Sequence, residues 1–205
     1  MIFYIMGKSA SGKDKLYKGL MQAFAQDPSI GLEPVILYTT RPIRTGEKEG
    51  RQYHFTDGPG LDAFRKEGKV IEERTYETIA GPWTYATVDK GLDPRKMNYL
   101  AIGTLVSYRK VRDYFGPDLV VPLYIEVSDE NLLIRAMKRE GKQETPSYRE
   151  MCRRFLADAE DFSEEKIREA GIEKRYDNNG PLEDCLNALR ETVEADAYKI
   201  PEGTE

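Results

Sequence analysis

Gly7-Lys8-Ser9-Ala10-Ser11-Gly12-Lys13-Asp14 constrains this chain more than any other stretch. It fits G-x-x-x-x-G-K, and its surroundings give the spacing physical meaning. A short apolar run, Ile2-Phe3-Tyr4-Ile5-Met6, precedes it, and Leu16, Leu20 and Phe24 recur behind it at helical spacing. Strand, glycine-rich turn and helix in that order open a βαβ unit and imply a parallel sheet. The glycines let backbone N–H groups converge on phosphate oxygens, and the helix N-terminus adds partial positive charge. Lys13 supplies a point charge for β- and γ-phosphates. Gly7, Ser9, Ala10, Ser11, Gly12, Lys13 and Asp14 are therefore the candidate phosphate site. The residue after the lysine is Asp14, where a Ser or Thr hydroxyl would ordinarily ligate Mg²⁺. A carboxylate there has two readings: it holds the metal itself, which is favoured, or it is an anion suited to a first helical turn.

The remaining pattern extends the same architecture. Residues 34–38 read as the next core strand, 99–102 as the third and 119–127 as a longer fourth, with a helix over 104–115. Between them, 52–55, 70–76 and 83–88 alternate like strands around a short helix at 61–66, which predicts a small β-rich lobe inserted into the core. Helices are expected at 130–139, after a Ser147-x-x-Glu150 capping box, and at 181–193; 175–177 reads as a last short strand and 201–205 as a frayed end. The expected fold is α/β, a three-layer core with a parallel sheet. The core takes residues 1–38 and 98–205, and the lobe 39–97.

Composition narrows the function. The 31 Lys+Arg against 36 Asp+Glu leave a net charge of −5, which argues against a protein that coats nucleic acid, and no RNA-recognition motif is present. Cys152 and Cys185 lack CxxC spacing and His54 is the single histidine, which argues against a Cys/His zinc site. No 18-residue apolar stretch exists, and 2–6 is too short for a signal peptide; a cytoplasmic protein without membrane contact is expected.

A second, longer signal is Thr39-Thr40-Arg41-Pro42-Ile43-Arg44-x-Gly46-Glu47-x-x-Gly50-x-x-Tyr53-x-Phe55. Two arginines three apart on a Pro-fixed segment can converge on one phosphate, and Tyr53 can add a hydroxyl. With this motif in view, the chain resembles the guanylate kinase family over nearly its whole length. That family pairs a phosphate turn with T-T-R-x-x-R-x-G-E-x-x-G-x-x-Y-x-F at this distance.

The resemblance implies a P-loop core, a nucleoside-monophosphate-binding lobe and a helical lid, here 136–150. It implies transfer of the γ-phosphoryl of ATP to GMP with Mg²⁺. It also implies roles: Arg41, Arg44 and Tyr53 on the acceptor phosphate, and Glu72 on guanine N1 and N2, with Glu73 the rival if the register slips. Tyr85 and Thr87 would serve phosphate and base. Arg135, Arg139 and Arg154 would neutralise the transferring group, and Asn178 or Asn179, with Asn179 preferred, would lie near the adenine. Lys13 and Arg41 complete the catalytic set.

The sequence departs from the family at the third core strand, where L-D-x-D becomes Leu100-Ala101-Ile102-Gly103. It also departs at the guanine-contacting Ser before T-T-R, replaced by Leu37 or Tyr38, and in a longer 141–146 segment.

Overall fold

The computed structural model describes residues 1–25, 27–78 and 81–199; the end at 201–205 lies outside them. A five-stranded sheet in the order β2-β7-β1-β8-β9 forms the core, from β1 (Ile2–Met6), β2 (Leu32–Pro34), β7 (Asn98–Gly103), β8 (Val120–Glu126) and β9 (Arg175–Asp177). All its pairings are parallel, with β1 central between β7 and β8.

The unbroken apolar run of β1 follows from burial on both faces. Phe3 and Ile5 point to one side, against α1 (Lys13–Phe24) and α7 (Leu182–Asp196) through Leu16, Leu20, Leu189 and Val193. Ile2, Tyr4 and Met6 point to the other, against α3 (Leu105–Phe115) and α6 (Glu164–Glu169) through Leu105, Tyr108, Val111 and Ile167. The result is three layers. Leu16 and Leu20 are fully buried, so truncating either to Ala should cost about 2–5 kcal/mol.

A second sheet, in the order β4-β3-β6-β5, joins β3 (Tyr38–Thr39), β4 (His54–Phe55), β5 (Val70–Thr78) and β6 (Gly81–Val88). One face rests on α2 (Gly58–Lys66) through Tyr38, Leu61, Ala86 and Val88. Asp57 caps α2 by accepting from the Gly60 N–H at 2.8 Å. The other helices are α4 (Asp129–Glu140) and α5 (Tyr148–Asp161).

Two expectations are corrected. The apolar run 34–38 is not one strand: its start pairs with β7 in the core, while Tyr38 pairs with β6 in the second sheet. Periodicity marks such a run as extended but carries no information about which sheet receives it. The capping box at Ser147 and Glu150 does not form. The Ser147 N–H donates to buried Glu140 at 2.6 Å, and Glu150 is drawn to Arg153 at 2.7 Å.

Candidate active site

The phosphate turn leaves the C-terminal end of β1, beside the matching end of β7. Ligands bind at that edge of an open α/β sheet. Gly12 adopts φ 90°, the left-handed region, at the N-cap of α1. A Cβ there would also meet Asn178 Nδ2 at 2.6 Å. Asn178 is buried beneath the turn and donates to the Ser11 carbonyl at 2.7 Å. Ser11 Oγ, fully buried, has no hydrogen-bond partner among the described residues. Lys13 Nζ lies 3.5 Å from the Lys8 carbonyl, and Lys8 pairs with Asp129 at 3.0 Å. Ser9 and Ala10 are half-buried, and Asp14 is exposed. The Ser9 N–H donates to Asp158 Oδ2 of α5 at 2.5 Å, an arrangement with no counterpart in the sequence reading.

The second phosphate candidate is tightly built. Arg41 is only 3% exposed, and its guanidinium makes a two-pronged contact with Glu47 at 3.0 and 2.7 Å. Glu47 also accepts from the Arg44 N–H at 2.8 Å. Hydrogen bonding to Glu47 raises the Arg41 guanidinium above its ordinary value, against burial, with Tyr85 adding a smaller push in the same direction. The Glu47 carboxyl is correspondingly lowered, first by Arg41 and then by the Arg44 backbone. Arg41 lies 5.4 Å from the Tyr53 ring, and Tyr53 meets Tyr85 edge-on at 5.5 Å. Burial raises the Tyr53 hydroxyl, keeping it a donor. The exposed Arg44 side chain instead sits 5.8 Å from the Trp83 ring.

The strands β5 and β6 turn one face toward this cluster. A register irregularity between Val70 and Glu72 places Glu72 directly opposite Thr87, Arg74 opposite Tyr85 and Tyr76 opposite Trp83. Bulges of this kind re-aim side chains. Glu72 is 3% exposed and accepts from Thr87 Oγ1 at 2.9 Å, on the face that carries Arg74 and Tyr85, while Glu73 pairs with Arg65 at 2.8 Å. Leu37 lines the cavity on this face, whereas Tyr38 is packed toward α2.

Where a third-strand carboxylate would stand, Gly103 leaves room that the Tyr4 hydroxyl and Ser107 fill. A Cβ on Gly103 would clash with Tyr4 Oη and lie 2.7 Å from Ser107 Oγ. Tyr4 donates to Ser107 at 2.8 Å; burial raises its pKa strongly, with smaller influences from Ser107, Glu72 and Arg74. Tyr4 lies three residues before Gly7, so the strand that ends in the phosphate turn also borders the Glu72 pocket.

The remaining arginines stand on α4 and α5. Arg135 donates to the Asn178 carbonyl at 2.7 Å, which ties it to the residue beneath the turn. Arg139, one helical turn on, is exposed. Arg154 lies 3.9 Å from Glu140 and 3.7 Å from Glu150. Asn179 accepts from the Ser128 N–H at 2.9 Å and from Asn131 at 3.0 Å, bridging β9 to the start of α4.

Sequence reasoning assigned no role to Glu47, Arg74 or Asp158. Arg74 was findable, being two residues beyond Glu72 and so on the same strand face. Asp158 was not, because nothing local links it to Ser9.

No group of three or more His, Cys, Asp or Glu among the described residues could hold a metal ion. Mg²⁺ commonly takes one or two carboxylates and completes its shell with water and phosphate oxygens, so Asp14 beside the turn is a fitting donor for an ion that arrives with a polyphosphate.

Fold and site together define an α/β protein with a G-x-x-x-x-G-K turn at the end of its central strand and a buried arginine clamped among tyrosines on an appended sheet. The chain belongs to the guanylate kinase family, whose model matches residues 2–195. A guanylate kinase of Coxiella burnetii is 32% identical over 141 residues, covering 65% of this chain and 64% of that protein. One of Aromatoleum aromaticum is 38% identical over 96 residues, 45% of each chain. The chain thus spans less than two thirds of the length of these curated relatives. The crystal structure of guanylate kinase from Anaplasma phagocytophilum shares the fold, with a TM-score of 0.58 over 97% of this chain and 87% of that one, at 18% identity. No helix among the described residues is long and apolar enough to cross a membrane.

Proposed function

We propose that this protein is an ATP-dependent nucleoside monophosphate kinase that transfers the γ-phosphoryl group of ATP to GMP, giving ADP and GDP. The observation that carries the reading is the face of β5 and β6, on which a buried carboxylate, Glu72, is held by Thr87 beside an arginine–tyrosine phosphate site. A buried carboxylate accepts from the N1–H and N2–H of guanine and opposes the lone pair of adenine N1, so it selects by base.

Phosphoryl transfer needs positioning and charge stabilisation more than covalent chemistry. In this reading Lys13 and the amides of 7–13 hold the ATP phosphates. Arg41, oriented by Glu47, acts with Arg44, Tyr53 and Tyr85 to set the acceptor phosphate in line. Arg135, Arg139 and Arg154 close over the transferring group, with 136–150 as the lid, 39–97 as the acceptor lobe, and Asn178 and Asn179 on the adenine side. Asp14 would hold Mg²⁺ in part, and the ion would supply positive charge to the ATP phosphates. Two free cysteines agree with a reducing cytoplasm.

Leu37 and Gly103, which remove two polar contacts expected on the guanine side, favour a second reading: the same chemistry on a different acceptor. A coupled assay of ADP formation with ATP, Mg²⁺ and GMP, IMP, AMP, CMP, UMP and dTMP tests both. GMP should give the highest kcat/KM. Another monophosphate ranking first would establish the second reading, and GMP binding with no turnover of any acceptor would make the protein a binding module.

A further inference from the structure

Arg74 occupies the centre of the acceptor face, between the Glu72–Thr87 pair and the Tyr76–Trp83 pair, and opposite Tyr85. Its Nε lies 3.3 Å from Glu72 Oε2, is buried, and has no hydrogen-bond partner among the described residues. The side chain is 26% exposed and lines a cavity of 330 Å³ with Leu37, Tyr53, Tyr76, Trp83 and Tyr85. A guanidinium carries five donors in a rigid fork. Nε is turned to Glu72, whereas the terminal nitrogens make no hydrogen bond to any described residue and belong to a side chain that lines the cavity, so they are the donors open to an acceptor brought by a ligand.

The neighbouring positions define what that acceptor is. Leu37 has no donor to offer a base oxygen, and the place of a third-strand carboxylate is filled by Tyr4 and Ser107. A 6-oxopurine presents adjacent O6 and N7 acceptors, which a guanidinium can contact in two-pronged fashion, and an N1–H directly beside O6. Glu72 and Arg74 stand side by side as acceptor and donor, in the same order as N1–H and O6 on the base. Resting on the acceptor reading above, we propose that Arg74 is a specificity-determining residue: it donates to the exocyclic oxygen of a 6-oxopurine while Glu72 accepts from the ring N–H next to it. Adenine then fails at both positions, because its 6-amino group meets a donor and its N1 lone pair meets a carboxylate.

The test compares three acceptors in the wild type, Arg74→Met and Arg74→Lys: GMP, IMP and the ribonucleoside monophosphate of 2-aminopurine. IMP keeps O6 and N1–H but lacks the 2-amino group; the 2-aminopurine nucleotide keeps the amino group but lacks both O6 and the N1–H, so its lower wild-type rate is the baseline against which each variant is compared. Binding of each nucleotide without ATP is measured alongside kcat/KM, and thermal unfolding confirms that each variant is folded. Arg74→Met should lower kcat/KM by about 10- to 100-fold for GMP and IMP and change it less than about twofold for the 2-aminopurine nucleotide, with Arg74→Lys between. Equal losses for all three would make Arg74 merely a partner that holds Glu72 or the strand, and unchanged GMP kinetics would remove any role; either overturns the proposal. If the wild type neither binds nor turns over GMP, the acceptor reading itself fails and takes this inference with it. If GMP is used normally but the variants do not discriminate, only the inference falls.

Discussion

The Ser9 N–H, in the glycine-rich turn that follows β1, donates to the Asp158 carboxylate, 149 residues away in sequence, at 2.5 Å. In the proposed nucleotide site this amide would serve a phosphate oxygen, so nucleotide and Asp158 would compete for one donor and repel each other. Replacing Asp158 by Ala should tighten ATP binding by about 3- to 10-fold, with Asp158→Asn intermediate, since a protein hydrogen bond contributes a net of about 0.5–1.5 kcal/mol. Titration with ATP in the absence of acceptor measures this; weaker binding in Asp158→Ala would show instead that the carboxylate organises the turn.

That contact marks the boundary of what the sequence discloses. The phosphate turn was legible because its parts are contiguous and each glycine answers a local backbone demand. The Arg41–Tyr53 motif was legible as a motif for the same reason. Three features were hidden. The irregularity near Ile71 shifts a register that alternation alone counts wrongly, which is why Glu73 stood as a rival. The run at 34–38 is divided between two sheets by tertiary packing. Asp158 reaches Ser9 only because α5 folds back over the turn. The acceptor arginines also look alike in sequence, yet Arg41 is buried and clamped while Arg44 is exposed beside Trp83.

The clamp on Arg41 predicts a pH response. Glu47 has a lowered carboxyl in the folded chain, chiefly through Arg41. A group depressed in the folded state contributes stability that is present above its unfolded value, near 4.5, and is lost as pH falls through its folded value. The acceptor site should therefore hold its form from pH 8 to below pH 4.5. Trp83, the single tryptophan, sits beside Arg44 and reports on it. Its fluorescence should change only below that point, and Glu47→Gln should abolish that acid transition while raising the KM for GMP about 5- to 10-fold, with a smaller effect on kcat. A transition centred above pH 5 would contradict the clamp.

Asp14 gives a metal-linked prediction. If it helps hold Mg²⁺, Asp14→Ser should lower kcat/KM and raise the Mg²⁺ concentration needed for half-maximal rate by several-fold, roughly the loss of one carboxylate donor. A Mg²⁺ titration at fixed ATP decides it. Higher activity in the variant would assign Asp14 to the helix end alone.

The two thiols should react unequally. Cys152 is exposed on α5, while Cys185 is buried against the core and burial pushes its thiol up to about 11. At pH 8 a thiol reagent should modify Cys152 rapidly and Cys185 only on unfolding, because the thiolate is the reacting form. Rapid modification of both would mean that α7 does not pack as described.

In the proposed reaction the Lys13 turn and the Arg41 site receive the donor and acceptor phosphates across one cleft. Calorimetric titration with adenosine and guanosine joined through a pentaphosphate probes both sites at once. One molecule should bind per chain, at least about 100-fold tighter than ATP or GMP alone, be displaced by either nucleotide, and be lost in both Lys13→Met and Arg41→Met. Binding no tighter than that of ATP, with GMP still able to bind alongside it, would mean that the two sites do not face one another.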